Sequence, residues 1–145
     1  MQHGPWQGRL LIPCDHSLVT EDDPTGYHSH VIFSDDHGQS WRLGGSIRPA
    51  VNECQVVELS DGTLLINMRN YDRSATTRAI ATSRDGGRTW SEVRHDPVLV
   101  EPICQASLVR YDTHGESGRD DLLFSNPAHG QSGVRRDMTV RLSRD

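Results

Sequence analysis

An all-β chain, organised as successive four-stranded antiparallel blades, is expected here on three grounds. First, an eight-residue pattern recurs. Ser34-Asp35-Asp36-His37-Gly38-Gln39-Ser40-Trp41 reads S-x-D-x-G-x-S-W, and Ser83-Arg84-Asp85-Gly86-Gly87-Arg88-Thr89-Trp90 reads S-x-D-x-G-x-T-W. Their serines lie 49 residues apart, and Ser143-Arg144-Asp145 opens the pattern again 60 residues later. Second, Cys54-Gln55-Val56-Val57-Glu58-Leu59 resembles Cys104-Gln105-Ala106-Ser107-Leu108-Val109, at an interval of 50 residues. Third, no segment has the periodicity of an amphipathic helix, whereas short strand-like runs bounded by turn residues are frequent. Periods of this size mark propeller blades or a related array.

Taken along the chain, strands are expected near 8–14, 28–34, 54–59, 63–69, 78–83, 105–111, 121–125 and 138–143. Val31-Ile32-Phe33 carries the second strand into the first repeated turn, and Ala79-Ile80-Ala81 carries the fifth into the second. In each turn the aspartate can accept from backbone N–H groups, Gly38 or Gly87 supplies backbone freedom, and the tryptophan is expected to pin the turn onto the blade. Ser60-Asp61-Gly62 and Asp112-Thr113-His114-Gly115 read as tight connections. The order amounts to roughly two and a half blades. A closed propeller takes about four to eight, and an unclosed stack leaves sheet edges unpaired. The expectation is therefore a single partial propeller domain over 1–145, truncated at both ends and unstable alone.

Composition narrows the functions. The chain has 145 residues, 34% of them hydrophobic and 24% charged, with a net charge of −5. A net acidic chain disfavours general nucleic-acid binding, which needs a basic face to displace counterions. No apolar run approaches the roughly 20 residues of a membrane-spanning helix, and no signal peptide is visible after Met1. Three cysteines, Cys14, Cys54 and Cys104, cannot all pair within the chain, and free packed thiols are expected. His28 and His30 could share a strand face, but no third ligand has suitable spacing, so no metal is assigned. The repeated aspartate turns lack the alternating ligands and terminal glutamate of a calcium loop. No glycine-rich phosphate loop, hydrolase elbow or other cofactor motif is present.

The repeated S-x-D-x-G-x-[ST]-W turns are Asp-boxes. Together with the E-C-Q-V run at Glu53, the N-x-R ending at Arg69, the S-N-P-A turn at Ser125-Asn126-Pro127-Ala128, and Arg135-Arg136-Asp137-Met138-Thr139-Val140-Arg141-Leu142-Ser143, they resemble the exo-α-sialidases. The resemblance covers nearly the whole chain, including Gly8-Arg9-Leu10-Leu11-Ile12-Pro13-Cys14-Asp15-His16. It implies a six-bladed β-propeller parent of which this chain holds two to three blades. The implied activity is hydrolysis of terminal α-linked sialic acids from glycans or gangliosides, with retention, through a tyrosine nucleophile. Sialidases are an exception to the two-carboxylate scheme of glycosidases.

Residue by residue, Arg69 resembles the second and Arg135 the third of the three arginines that grip the substrate carboxylate. A guanidinium suits this task because its planar fork matches a carboxylate and is always charged. Arg135 is preferred over Arg136 because it stands three residues before Met138, as the family pattern requires. Glu53 resembles the glutamate that partners the nucleophilic tyrosine, whose hydroxyl, with an ordinary pKa of about 10, needs a base. The first arginine, the aspartate acid/base and the tyrosine are expected outside this stretch, and Tyr27, Tyr71 and Tyr111 lack the nucleophile's context. The stretch alone is accordingly expected to be inactive.

Plainer readings stand beside these. Arg69 alone would read as a surface ion pair with Asp72, and Glu53 alone as a solvated turn residue; their joint spacing with Arg135 favours the site. Asp15 and His16 either meet the glycerol arm or aglycone of a sialoside or serve their loop, and Asn67 and Tyr71 carry a similar pair of readings. An Asp-box propeller that binds glycans or proteins without catalysis, and a trans-sialidase-like enzyme, are the alternatives. The family occurs in secreted, periplasmic, lysosomal and cytosolic settings, which leaves localisation open.

Overall fold

The structure, a computed structural model, describes residues 1–112 and 120–144. After a single 3-10 turn at Gly4–Trp6 come ten strands: β1 (Leu10–Ser17), β2 (Tyr27–Ser34), β3 (Arg42–Leu43), β4 (Val51–Glu58), β5 (Leu64–Asn70), β6 (Thr77–Ser83), β7 (Arg94–Val100), β8 (Ser107–Asp112), β9 (Asp120–Pro127) and β10 (Met138–Arg144). They form three antiparallel meanders, ordered β1-β2-β3, β4-β5-β6-β7 and β8-β9-β10. These are successive blades, and the second has all four strands. The proposed connection at Asp112-Thr113-His114-Gly115 falls mostly outside the described residues, as does Asp145 of the third repeat.

All eight expected strands form, with shifted ends, and two more appear. The unexpected β3 is two residues long and pairs only with Ile32 and Phe33. β7 contains Arg94, His95, Asp96 and Pro97, and a proline in a run argues against a central strand. It is tolerated because β7 is the edge of its sheet, where the register also shifts between Thr77 and Ala79 of β6.

Alternation along the strands builds two cores. Val31, Val51, Cys54, Ile66, Met68, Ala79 and Ala81 bury one face between the first and second blades. Val57, Ala106, Leu108, Leu122 and Phe124 fill the space between the second and third. Ile66, Met68, Ala79 and Ala81 are completely buried. Truncating a side chain as large as Ile66 or Met68 there costs about 2–5 kcal/mol.

The Asp-boxes fasten the blade ends. Ser34 Oγ donates to Asp36 Oδ1 (2.7 Å) and accepts from Gly38 N (2.8 Å), and Asp36 in turn accepts from the Ser40 N–H (2.8 Å) and hydroxyl. Asp85 repeats this with Ser83 and Thr89. Hydrogen bonds from the Ser40 hydroxyl and N–H and from Ser34 hold Asp36 well below the usual carboxylate range. The tryptophans differ from expectation. Trp90 packs against the first core, but Trp41 is 39% exposed and closes its own turn, donating from Nε1 to Gly38 O at 3.2 Å.

The boxes are also tied across blades. Arg9, buried at 1% exposure, grips Asp35 with Nε (2.7 Å) and Nη2 (2.8 Å) and gives Nη1 to Gly86 O (2.7 Å). Gly45 N donates to Gly87 O at 3.0 Å. A Cβ on neighbouring Gly44 would lie 2.3 Å from that same oxygen, so only glycine permits this approach. The cysteines are free: Cys54 is buried, Cys14 and Cys104 half-buried. Burial pushes the Cys54 thiol up to about 12, which keeps it an inert packing group.

Candidate active site

The site grows from the β4–β5 hairpin, beside a bulge at its end. Ser60-Asp61-Gly62 returns the chain, with Gly62 N donating to Leu59 O at 2.9 Å, and pairing runs regularly from Glu58↔Leu64 to Cys54↔Met68. The next pair is Val51↔Asn70. Asn52 and Glu53 therefore stand together against Arg69, a bulge of two residues against one, a device that re-aims side chains. The regular register carried on from Cys54↔Met68 already sets Glu53 opposite Arg69, and the two form an ion pair, Nη1 to Oε2 at 2.5 Å.

The pair is open on one side. The Arg69 side chain is 17% exposed and that of Glu53 37%. Glu53 occupies Nη1, while Arg69 Nε is buried with no hydrogen-bond partner. No partner at Nη2 is found among the described residues. With Nε shut in and Nη1 on Glu53, Nη2 is the nitrogen left for the carboxylate of a ligand. Burial is the largest single influence on Arg69 and opposes its charge, but the hydrogen bond it donates to Glu53, together with the acidic groups around it, outweighs burial and raises its pKa above the ordinary value. Tyr71 lies against the guanidinium, 4.9 Å from Cζ to ring centroid, and stacks on Tyr27 at 4.5 Å. Asn52 Oδ1 is a second buried polar atom left without a partner.

The other candidates take different places. Arg135 is exposed in the segment between β9 and β10, and among the described residues it has no ion pair or hydrogen bond. Arg136 instead lies 3.9 Å from Asp137. The β9–β10 connection corresponds in its blade to the β5–β6 connection that follows Arg69. The two are linked through Gly133 N to Pro102 O (2.8 Å) and Glu101 N to Thr76 O (3.0 Å). Arg135 thus shares a rim with Arg69 without touching the pair. Asp15 is exposed on β1 opposite Ser29.

Asn67 points elsewhere. It is 2% exposed, and its Oδ1 accepts from Arg78 Nε at 2.7 Å. Arg78 in turn reaches Glu101 Oε2 (3.0 Å) and Cys104 O (2.6 Å) in a wholly buried cluster that sequence reading missed. His16 joins a chain of rings: His30 Nδ1 to His16 Nδ1 at 3.1 Å, His16 Nε2 to His28 Nδ1 at 3.1 Å, and His28 Nε2 to Asp23 Oδ2 at 2.7 Å. The register His16↔His28 supplies this third histidine, and it was not legible before the pairing was known. Among the described residues no group of His, Cys, Asp or Glu has the geometry of a metal site, and no helix is long and apolar enough to cross a membrane.

Comparison with known proteins agrees along the chain. Residues 2–145 match the BNR repeat-like domain family. A sialidase of Micromonospora viridifaciens is 36% identical over 148 residues, covering 100% of this chain and 22% of that protein. A sialidase of Bacteroides fragilis is 34% identical over 144 residues, covering 95% and 26%. The solved structure of a Hadza microbial sialidase superposes with a TM-score of 0.79 at 38% identity, covering 95% of this chain and 26% of that one. The chain thus spans about a quarter of the length of these relatives. Its repeated boxes, its antiparallel blades and these matches together show that the chain belongs to the BNR repeat-like domain family, as a stretch of sialidase β-propeller.

Proposed function

We propose that this chain contributes the carboxylate grip and the glutamate of a sialidase site that cleaves terminal α-linked sialic acids from glycoconjugates, gangliosides included. The observation that carries the reading is the Glu53–Arg69 pair, with one nitrogen of the guanidinium engaged and its Nε/Nη2 edge unengaged. Arg69 receives the substrate carboxylate at Nη2, and Arg135 closes on it from the neighbouring blade. Glu53, acceptor-only when ionised, takes the proton of a tyrosine supplied from outside 1–145. A tyrosine nucleophile spares the site a second carboxylate facing an anionic sugar, and attack through it gives retention. Asp15 of β1, on the same sheet face as Tyr27 of β2, meets the glycerol arm or aglycone of the sialoside.

The test is Arg69→Ala in the full-length protein, assayed on a fluorogenic sialoside. Truncating one member of a hydrogen-bonded charge pair costs about 2–5 kcal/mol, so kcat/KM should fall at least about thirtyfold. Turnover within a few-fold of the parent protein would overturn the assignment.

A further inference from the structure

We propose that Tyr71 is a positioning residue for Arg69, backed from the neighbouring blade by Tyr27, and that it keeps the guanidinium from spending Nη2 on Glu53, so that Nη2 stays free for the carboxylate. The inference rests on the reading of Arg69 as the carboxylate grip. An arginine side chain carries considerable rotamer freedom, and a glutamate beside it offers an alternative to substrate. Both Glu53 oxygens could engage both terminal nitrogens in a two-bond fork, the preferred arrangement of such pairs. The structure shows one bond instead, at Nη1. What lies against the guanidinium is the Tyr71 ring, with Cζ 4.9 Å from its centroid, a cation–π contact.

Tyr71 is itself held at several points. Its N–H donates to Ala50 O at 2.8 Å just beyond the end of β5. Its hydroxyl has a long 3.5 Å contact with Asn52 Nδ2. Its ring stacks on Tyr27 of β2, centroids 4.5 Å apart and planes 28° apart. A flexible cation is thereby set by an aromatic ring that two blades hold in place. Removing the ring frees the guanidinium to turn onto Glu53 and engage Nη2 there.

The experiment compares the affinity of the full-length protein for free sialic acid with that for its C1 carboxamide, a pair that differs in the group Arg69 grips. Tyr71→Leu keeps bulk but removes the π face, and should lower the carboxylate preference about fivefold. Tyr71→Phe keeps the face and should hold the preference within about twofold. A general loosening of the blade would weaken both ligands alike and leave the ratio where it was. A Tyr71→Leu protein that keeps the parent ratio while Arg69→Ala loses it overturns the proposal and leaves the site reading intact. A parent protein with no preference for the carboxylate overturns the site reading instead. Should Tyr71→Leu fail to fold, Tyr27→Leu acts on the same stack from β2: a smaller fall in the ratio supports the proposal, and an unchanged ratio overturns it.

Discussion

Two arginine–glutamate pairs of the second blade, Arg78–Glu101 and Arg69–Glu53, behave oppositely, and Arg73 adds a looser 3.6 Å contact to Glu101. Arg78 and Glu101 are both completely buried. Arg78 donates to Asn67, Glu101 and Cys104, leaving only Nη2 without a partner, and Glu101 also accepts from the N–H groups of Asn70 and Cys104. Arg69 and Glu53 share one hydrogen bond at the edge of solvent, their side chains 17% and 37% exposed, with Nε unengaged. Identical residue types thus serve two ends. The buried pair joins the second blade to the loop leading into the third, and the open pair leaves binding capacity unspent. What separates them is saturation of donors and access to solvent, neither of which a residue's name reveals.

The contrast can be broken by mutation, and the largest effect should come from the buried pair. Removing one partner of a buried ion pair costs about 3–5 kcal/mol, so Arg78→Ala should shift a urea unfolding midpoint of the full-length protein sharply. A shift below about 1 kcal/mol would mean that the cluster is dispensable. Arg69→Ala should do the reverse: sialoside turnover collapses, while unfolding free energy changes by less than about 1 kcal/mol, as for a partly exposed pair. Large losses in both would erase the distinction between the two pairs.

A smaller effect concerns a third polar group, the imidazole chain of His16, His28 and His30 ending on Asp23. Burial first, then the neighbouring charge of His16, lowers His30 below its ordinary 6.5, with Asp15 opposing. The folded state then prefers the neutral ring, and below about pH 6.5 the unfolded chain binds more protons. Stability from this residue is therefore complete above about pH 6.5 and is lost as pH falls through the lower folded value. A pH series of unfolding midpoints should show that acid-side decline, and His30→Gln should flatten it. An unchanged slope in the variant would remove His30 as its source.

The open pair was readable before the structure because a hairpin with a Ser60-Asp61-Gly62 turn must set residues like Glu53 and Arg69 side by side. The buried pair was not, since Glu101 meets Arg78 from 23 residues away with no periodic spacing to announce it. Asn67 shows the cost of that blindness. It sits two residues from Arg69, on the same side of β5, and sequence alone offered it to the ligand, yet its carbonyl is engaged by Arg78. β7 was hidden by Pro97 and its charges, which fit an edge strand and look like a loop. Arg135 shares the rim of Arg69 by its blade position, but no contact among the described residues fixes its side chain.

The bulge at Asn52 and Glu53 carries one more consequence, and it concerns counting. Val51 and Cys54 both enter the first core although three residues separate them, which a regular strand forbids. The inserted residue resets the phase of the in–out alternation, and the apolar-polar-polar-apolar order of Val51-Asn52-Glu53-Cys54 is its written trace. Deleting Asn52 would leave Glu53 still opposite Arg69, because Cys54↔Met68 fixes that partner. The residues before it would keep their phase, because Val51 would then stand two positions from Cys54 in a regular strand. Straightening the strand while keeping Asn52 would instead turn Val51 to the outer face, so the extra residue and the bulge that absorbs it stand or fall together.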